Sequence, residues 1–288
     1  MPEARIGVIG GSGLYQMEGL TDVEELTIST PFGDPSDSIV VGKLHGKEVA
    51  FLPRHGRGHR LSPSEINARA NIFALKTLGV ERLISVSAVG SLREDIHPLD
   101  IVLPDQILDR TRRRDSTFFG GGIVVHIGFA DPVCSDLSDA LHQAATSQSP
   151  APRVHRGGTY LCIEGPQFST RAESRVYRQW GMDVIGMTAI PEAKLAREAE
   201  MCYSQLALVT DYDVWHETEE AVTADMIILN LMKNVDTARR VLATAVRGIG
   251  GERTCACSRA LETAIITAPD QIPPRRRDEL APLIGKYL

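Results

Sequence analysis

The sequence contains no uninterrupted apolar run of about eighteen residues, so no helix that spans a membrane is patterned into it. Residues 1–5 pass straight into Ile6-Gly7-Val8-Ile9, without the basic segment and longer apolar core of a signal peptide. A cytoplasmic location is the expectation. Basic excess is also missing. The formal net charge is −6, and the arginine runs 112–114 and 275–277 are short islands that read as solvated surface. A nucleic-acid binder would carry a basic stripe, so no nucleic-acid partner is expected, and any anion site must draw on local cations. Cysteine is scarce. Five scattered residues (Cys134, Cys162, Cys202, Cys255 and Cys257) are too few for a secreted disulfide scaffold. Within Cys255-Ala256-Cys257 two thiols stand close, but no neighbouring histidine or second pair completes a zinc site. They read as ordinary thiols, and a disulfide among Cys134, Cys202, Cys255 and Cys257 stays open.

Linkers, repeats and low-complexity tracts are absent as well, which favours one domain over residues 1–288. With 288 residues and 43% hydrophobic content, the chain can bury a full core. Short β-branched runs at 6–9, 38–41, 49–52, 83–86, 101–103, 160–163, 183–187 and 205–209 read as buried strands. Between them lie helical patterns: one opening at Ser64-Glu65-Ile66 and closed by Gly79, then 137–145, 169–180, 191–201 and 223–246. The last shows Ile227, Leu231, Val235 and Ala238 on one stripe. Strands alternating with helices predict an α/β fold with a mixed, largely buried sheet, followed by a helical extension near 252–288.

In such folds ligands gather at loops that leave strand ends. Ile9-Gly10-Gly11-Ser12-Gly13-Leu14 follows the first strand; its amides and the Ser12 hydroxyl suit an anion, and a tight turn is the alternative. The G-x-G-x-x-G spacing of a dinucleotide-binding loop is not met, which removes a dehydrogenase reading. Pro53-Arg54-His55-Gly56-Arg57-Gly58-His59-Arg60 follows an apolar strand. Its glycines oppose a helix and its guanidiniums repel a dication, so the i, i+4 histidines do not read as metal ligands. Arginine instead binds phosphate oxygens bidentately; a basic surface loop is the alternative. Ser85-Val86-Ser87-Ala88-Val89-Gly90-Ser91 ends a strand in hydroxyl and glycine residues. Thr210-Asp211-Tyr212-Asp213 follows another strand and, if extended, points both carboxylates to one side. Such a carboxylate beside apolar neighbours suits a general acid, or else caps a helix.

Taken in order, these segments resemble the purine nucleoside phosphorylase family, and within it the branch acting on methylthioadenosine. The resemblance rests also on Thr30-Pro31-Phe32-Gly33-Asp34-Pro35-Ser36, on residues 164–173 (Glu-Gly-Pro-Gln-Phe-Ser-Thr-Arg-Ala-Glu), and on Gly186-Met187-Thr188 through Pro191-Glu192. It covers nearly the whole chain. It implies a single nucleoside phosphorylase domain whose central mixed sheet is partly barrel-like and wrapped by helices. The usual assembly is a trimer, sometimes paired into a hexamer. The resemblance further implies phosphate ligands at Ser12, Arg54, His55, Ser87, the Ala88 amide and Thr188. Met187 would lie under the ribose, Phe168 on the purine face and Ser169 at the purine edge. Asp211 and Asp213 would read N7 and the 6-amino group. His126 would be lent by a neighbouring subunit to the 5′ pocket, with Val222, Ala224 and Ile228 as candidate lining. Gln167 stands where the family often has arginine.

The implied reaction is phosphorolysis of methylthioadenosine to adenine and 5-methylthioribose 1-phosphate, with phosphate as co-substrate and no metal or organic cofactor. Asp211 is the candidate acid. An ionised aspartate only accepts hydrogen bonds, which suits a 6-amino group and opposes a 6-oxo oxygen. Three alternatives stand beside this: a purine nucleoside phosphorylase of broader or 6-oxopurine specificity, a hydrolase on the same fold, and a nucleoside-binding protein without turnover.

Overall fold

The computed structural model describes residues 3–11, 13–14, 16–216 and 224–288, with backbone alone at 224–229 and 231. At its centre β1 (Ile6–Gly10), β4 (Lys47–Pro53), β5 (Arg82–Ser91) and β11 (Cys202–Asp211) run parallel, in the order β4-β1-β5-β11. β1 and β11 are buried along their whole length. Strands covered on both faces read as continuous apolar runs, which is why these were found from the sequence. β3 (Ile39–Leu44) lies antiparallel against β4, and β2 (Thr21–Leu26) against β3. On β11, β6 (Ile101–Leu103) pairs antiparallel and leads to β8 (Val154–Arg156). The remaining wing is β10 (Val184–Gly186), β9 (Thr159–Ile163) and β7 (Gln106–Arg110). These strands form one mixed, branched sheet.

The branch at β5 positions the site. β11 occupies one edge of β5 from Arg82 to Gly90. The other edge belongs to β1 up to Ser85, and to antiparallel β10 from Gly90 onward. Between Ser85 and Gly90 that edge has no strand neighbour among the described residues. The carboxyl ends of β1, β4, β5 and β11 all open toward this gap.

Helices cover both faces. α1 (Ala68–Thr77), α4 (Ala189–Glu198) and α7 (Ala281–Ile284) bury Ile72, Phe73, Leu195 and Ile284 against one face. α2 (Ser135–Thr146) and α5 (Ala224–Gly248) bury Leu137, Leu141, Val241 and Leu242 against the other. The spacing Ala238, Val241, Leu242, Ala245 and Val246 is the core stripe of α5. α3 (Arg171–Gln179) closes a smaller cluster with Tyr177, Leu161 and Ile185. Beyond α5 the chain continues through short helical turns at Ala256–Arg259 and Pro269–Gln271 and through α6 (Pro274–Glu279). No described helix is long and apolar enough to cross a membrane.

Several expectations change. The first helix begins after Asn67, whose side chain accepts the Ala70 amide, and not at Ser64. Glu65 instead folds back on Ser62 and closes a separate turn. β2, β7 and β8 were not foreseen. The zinc argument also changes, because Cys134 caps α2, Cys202 opens β11, and both meet Cys255 and Cys257. All four sulfurs lie within 4.8 Å of one another, so the fold supplies the second pair that the local sequence lacks.

Candidate active site

The gap on β5 gathers most of the residues singled out above. Arg54, just past β4, turns inward and is 2% exposed. Its Nη1 donates to Val86 O at 2.8 Å, and Nη2 to Ser85 Oγ at 2.7 Å and Ile9 O at 3.3 Å. Glu192 on α4 takes Nε and Nη2 in a buried ion pair. Burial pulls the Arg54 pKa down, but Glu192 outweighs it and leaves the guanidinium above its ordinary value. With Val86 O taking one proton of Nη1, its second has no partner among the described residues. Arg57 and Arg60, which looked equivalent in sequence, turn outward: Arg57 to Glu25 and Asp37, Arg60 to Ser36 O at 2.6 Å.

His55 donates through Nδ1 to Leu61 O at 2.9 Å, since a carbonyl only accepts, and stacks on His59. Burial, and then the Arg54 charge, push its pKa down to about 4. The ring is therefore neutral near pH 7, with a lone pair on Nε2.

Strand alternation fixes the rest of the gap. Val86 offers its carbonyl to Arg54, and Gly90 pairs with Ile185 across the same edge, so the Ala88 backbone groups between them face the gap. Ser87 Oγ accepts Gln205 Nε2 at 2.9 Å, which frees its O–H to donate. β10 runs antiparallel from Gly90, and its continuation delivers Met187 and Thr188 to this edge. The Thr188 amide reaches the buried Tyr160 hydroxyl at 3.4 Å. A Cβ at Gly186 would stand 2.0 Å from that hydroxyl, so only glycine fits there.

At the end of β11 the aspartates lock together. The Asp213 amide donates to Asp211 Oδ1 at 2.8 Å, and the Thr210 hydroxyl to Asp211 Oδ2 at 2.6 Å. Asp213 sits at φ +52°, a left-handed conformation uncommon outside glycine. The turn is held by Trp215 Nε1 on Ser91 O and by Asn230 and Asn234 of α5, which bond Thr210 O and Val209 O. Burial raises both carboxyl pKa values, that of Asp213 to about 6. Asp213 Oδ2, Ser169 Oγ and Thr188 Oγ1 are buried without a hydrogen-bond partner among the described residues. Such buried polar atoms call for a partner, which a ligand or an ordered water supplies. Ser169 and Phe168 stand just before α3, held by a capping box between Thr170 and Glu173. Phe168 is 52% exposed.

Arg114 was missed. Read as surface in a basic run, its side chain is 4% exposed. It donates to Met187 O, to Ile190 O at 2.6 Å and to Glu164 O at 2.6 Å, so it clamps the Glu164 loop to the Met187 loop. Glu192 and Tyr160 were not assigned roles either. The Thr30–Ser36 loop is tied to α1 through Asn67 on Phe32 O and Asn71 on Ser36. His126 is exposed in the segment between β7 and α2, its amide on Ala264 O at 2.9 Å. Ser12 and Val222 fall outside the described residues, and Ala224 and Ile228 are described only as backbone opening α5.

The chain is similar to known proteins along nearly its whole length. The family model described as Phosphorylase superfamily matches residues 5–247. An S-methyl-5′-thioadenosine phosphorylase of Geobacter sulfurreducens is 58% identical, over 99% of this chain and 100% of its own. A crystal structure of methylthioadenosine phosphorylase from an antarctic soil metagenomic library is 54% identical with a TM-score of 0.95, covering 98% of this chain and 99% of that one. Methylthioadenosine phosphorylase from Schistosoma mansoni, in complex with adenine, is 38% identical with a TM-score of 0.84, covering 93% of this chain and 100% of that one.

Proposed function

The chain belongs to the phosphorylase superfamily, and from that premise we propose that it transfers a pentosyl group from S-methyl-5′-thioadenosine to inorganic phosphate. The observation that carries the reading is the pair of buried, protonatable aspartates placed across β5 from a buried arginine. That is an acid for a leaving base on one side and an anion site on the other. The alternatives are not favoured, since curated relatives over nearly the full chain are named S-methyl-5′-thioadenosine phosphorylase.

In the proposed mechanism a phosphate oxygen forms a bond to C1′ as the C1′–N9 bond breaks, and the bonding pair leaves with the purine. Asp211, whose carboxyl pKa is raised by burial, gives a proton to N7; a positioned acid contributes roughly 10²–10⁴-fold. The proton lost by phosphate restores Asp211 through solvent. Asp213 Oδ2 accepts from the 6-amino group, and Ser169 Oγ meets the purine edge. Phe168 covers the purine face and Met187 the ribose. Phosphate takes its donors from Arg54, Ser87, the Ala88 amide, Thr188 and Ser12. His55, neutral with Nε2 unprotonated, accepts the remaining P–O–H. No metal or organic cofactor enters this scheme. We read the chain as one catalytic unit with its C-terminal extension, cytoplasmic and trimeric or hexameric. His126 of one copy would then complete the 5′ pocket of the next, beside Val222, Ala224 and Ile228.

The test is adenine release from methylthioadenosine with and without phosphate, alongside adenosine and methylthioinosine. Phosphate-dependent release, fastest with methylthioadenosine, is expected. Faster cleavage of methylthioinosine would overturn the aspartate assignment, and release without phosphate would make the enzyme a hydrolase.

A further inference from the structure

We propose that Cys134, Cys202, Cys255 and Cys257 form a tetrathiolate site for a soft divalent metal, with zinc as the natural occupant, that fastens the C-terminal extension to the catalytic domain. The four Sγ atoms lie within 4.8 Å of one another, and Cys202 and Cys255 are 3.3 Å apart. A tetrahedral zinc with Zn–S bonds of about 2.3 Å places its sulfurs about 3.8 Å apart. The cluster therefore already has the size of that tetrahedron, and small side-chain rotations complete it.

The ligands converge from three places. Cys134 ends the segment before α2, and its amide is pinned to Tyr203 O at 2.8 Å. Cys202 opens β11, so these two thiols are set by the core of the domain. Cys255 and Cys257 arrive together on the turn that follows α5. Cys134, Cys202 and Cys257 are buried and Cys255 is half-buried, which gives a closed site of four protein ligands. That is the arrangement of a structural centre, since a catalytic one keeps a position open for water or substrate. Position at the amino end of α2 favours Cys134 as a thiolate.

The site joins two parts of unequal standing. The superfamily model ends at residue 247, so Cys255 and Cys257 lie in the segment beyond it, while Cys134 and Cys202 lie within it. Past the turn, that segment holds residues 124–126 edge to edge: Ile266 N on Val124 O, His126 N on Ala264 O, and Val124 N on Thr267 Oγ1. A metal at the cysteines would thus anchor the segment that carries His126. The inference rests on sulfur geometry alone and is independent of the substrate assigned above.

The experiment is to express the full chain in zinc-supplemented medium, purify it under reductant and measure metal by mass spectrometry. Total thiols are titrated in denaturant with chelator. One zinc per chain with all five cysteines titrating as thiols is expected. Cobalt(II) exchanged into the site should show sulfur-to-cobalt charge transfer and the visible bands of a tetrahedral tetrathiolate. Cys255→Ser with Cys257→Ser, on the half-buried turn, should lose the metal, while Cys162→Ser should keep it. Chelation should lower the unfolding midpoint of the parent protein by at least about 4 °C and leave the double variant unmoved. Absence of metal after reconstitution, or titration of only one thiol because the four are paired as disulfides, would overturn the proposal.

Discussion

Replacing Glu192 by glutamine isolates the charge on which the proposed phosphate end of the site depends. Arg54 and Glu192 are each 2% exposed and bonded to one another, and Ser85 Oγ joins Glu192 at 3.0 Å. Removing one partner of a buried pair strands the other charge and costs roughly 3–5 kcal/mol. Glutamine keeps the shape and one acceptor, so the lower end, about 3 kcal/mol, applies. For a chain of this size that is a fall of about 6–12 °C in the unfolding midpoint. Phosphate should partly reverse it. In the parent protein the pair is neutral as a unit. In Glu192→Gln the guanidinium charge is unbalanced, and an anion beside it binds in part as a replacement counter-charge. Saturating phosphate stabilises any protein that binds it only when folded, by about 2.7 kcal/mol at a hundredfold excess over Kd. The phosphate-induced rise in midpoint should be larger in the variant than in the parent by at least about 2 °C. Differential scanning fluorimetry with and without phosphate, using sulfate-free buffer, reads both quantities. An equal phosphate shift in the two proteins would show that Arg54 does not feel the bound anion, and would refute the placement of phosphate at the β5 gap.

Three further outcomes follow from the same geometry. Asp213 titrates near 6 when folded against an ordinary 3.8 because it is buried, so the folded state holds the proton more tightly and stability falls as pH rises from about 4 to about 6. Asp213→Asn should remove up to about 3 kcal/mol of that penalty at pH 8 and progressively less toward pH 4, while activity on adenine nucleosides drops; a stability difference that ignores pH would contradict this. A Cβ at Gly90 would stand 2.9 Å from Asp211 Oδ1 and 3.1 Å from Ile185 Cγ2 in a buried strand. Gly90→Ala should cost about 1–3 kcal/mol and at least roughly tenfold in kcat with the fold intact, and near-normal turnover would show that Asp211 tolerates displacement. Arg114→Lys loses the planar fork that spans the Glu164 and Met187 loops, so nucleoside KM should rise about tenfold or more with phosphate KM little changed; parallel rises in both would mean that the clamp also shapes the phosphate end.

What could be read from the sequence was whatever stood next to a buried strand. β1, β4, β5 and β11 announce themselves as apolar runs, and the residues that follow them are the glycine, arginine, serine and aspartate segments of the gap. β2 escaped because five of its six residues are exposed, which leaves no apolar alternation to detect. The Ser62–Glu65 turn uses the chemistry of a helix start without a helix, and so misplaced α1. Pairings at long range were invisible for a different reason. Arg114 sits in a run of three arginines whose local context is that of solvated surface, and its burial is decided by carbonyls about fifty and seventy residues away. Glu192 lies 138 residues from Arg54. The cysteines show the same limit, since Cys255-Ala256-Cys257 lacks a second pair until α2 and β11 bring one.

These long-range pairings also change how the phosphate end works on the proposed reading. Three arginines and two histidines suggested a strongly cationic pocket. The fold retains one guanidinium, neutralised by Glu192, beside a histidine whose pKa lies near 4. What faces the anion is therefore a set of oriented donors with little net charge. Such a site fixes the position of phosphate without cancelling its charge, and an uncancelled dianion beneath C1′ gains attraction only as the ribosyl group becomes cationic. A pocket with all three arginines turned inward would hold phosphate equally firmly before and during bond breaking, which lowers KM but leaves the barrier where it was. Interactions that strengthen between ground state and transition state are the ones that raise kcat. On this account Glu192 is a positioning residue that also keeps the Arg54 charge from being spent on the ground state, so Glu192→Gln should tighten phosphate binding while lowering kcat. A variant that binds phosphate more tightly and turns over faster would refute it.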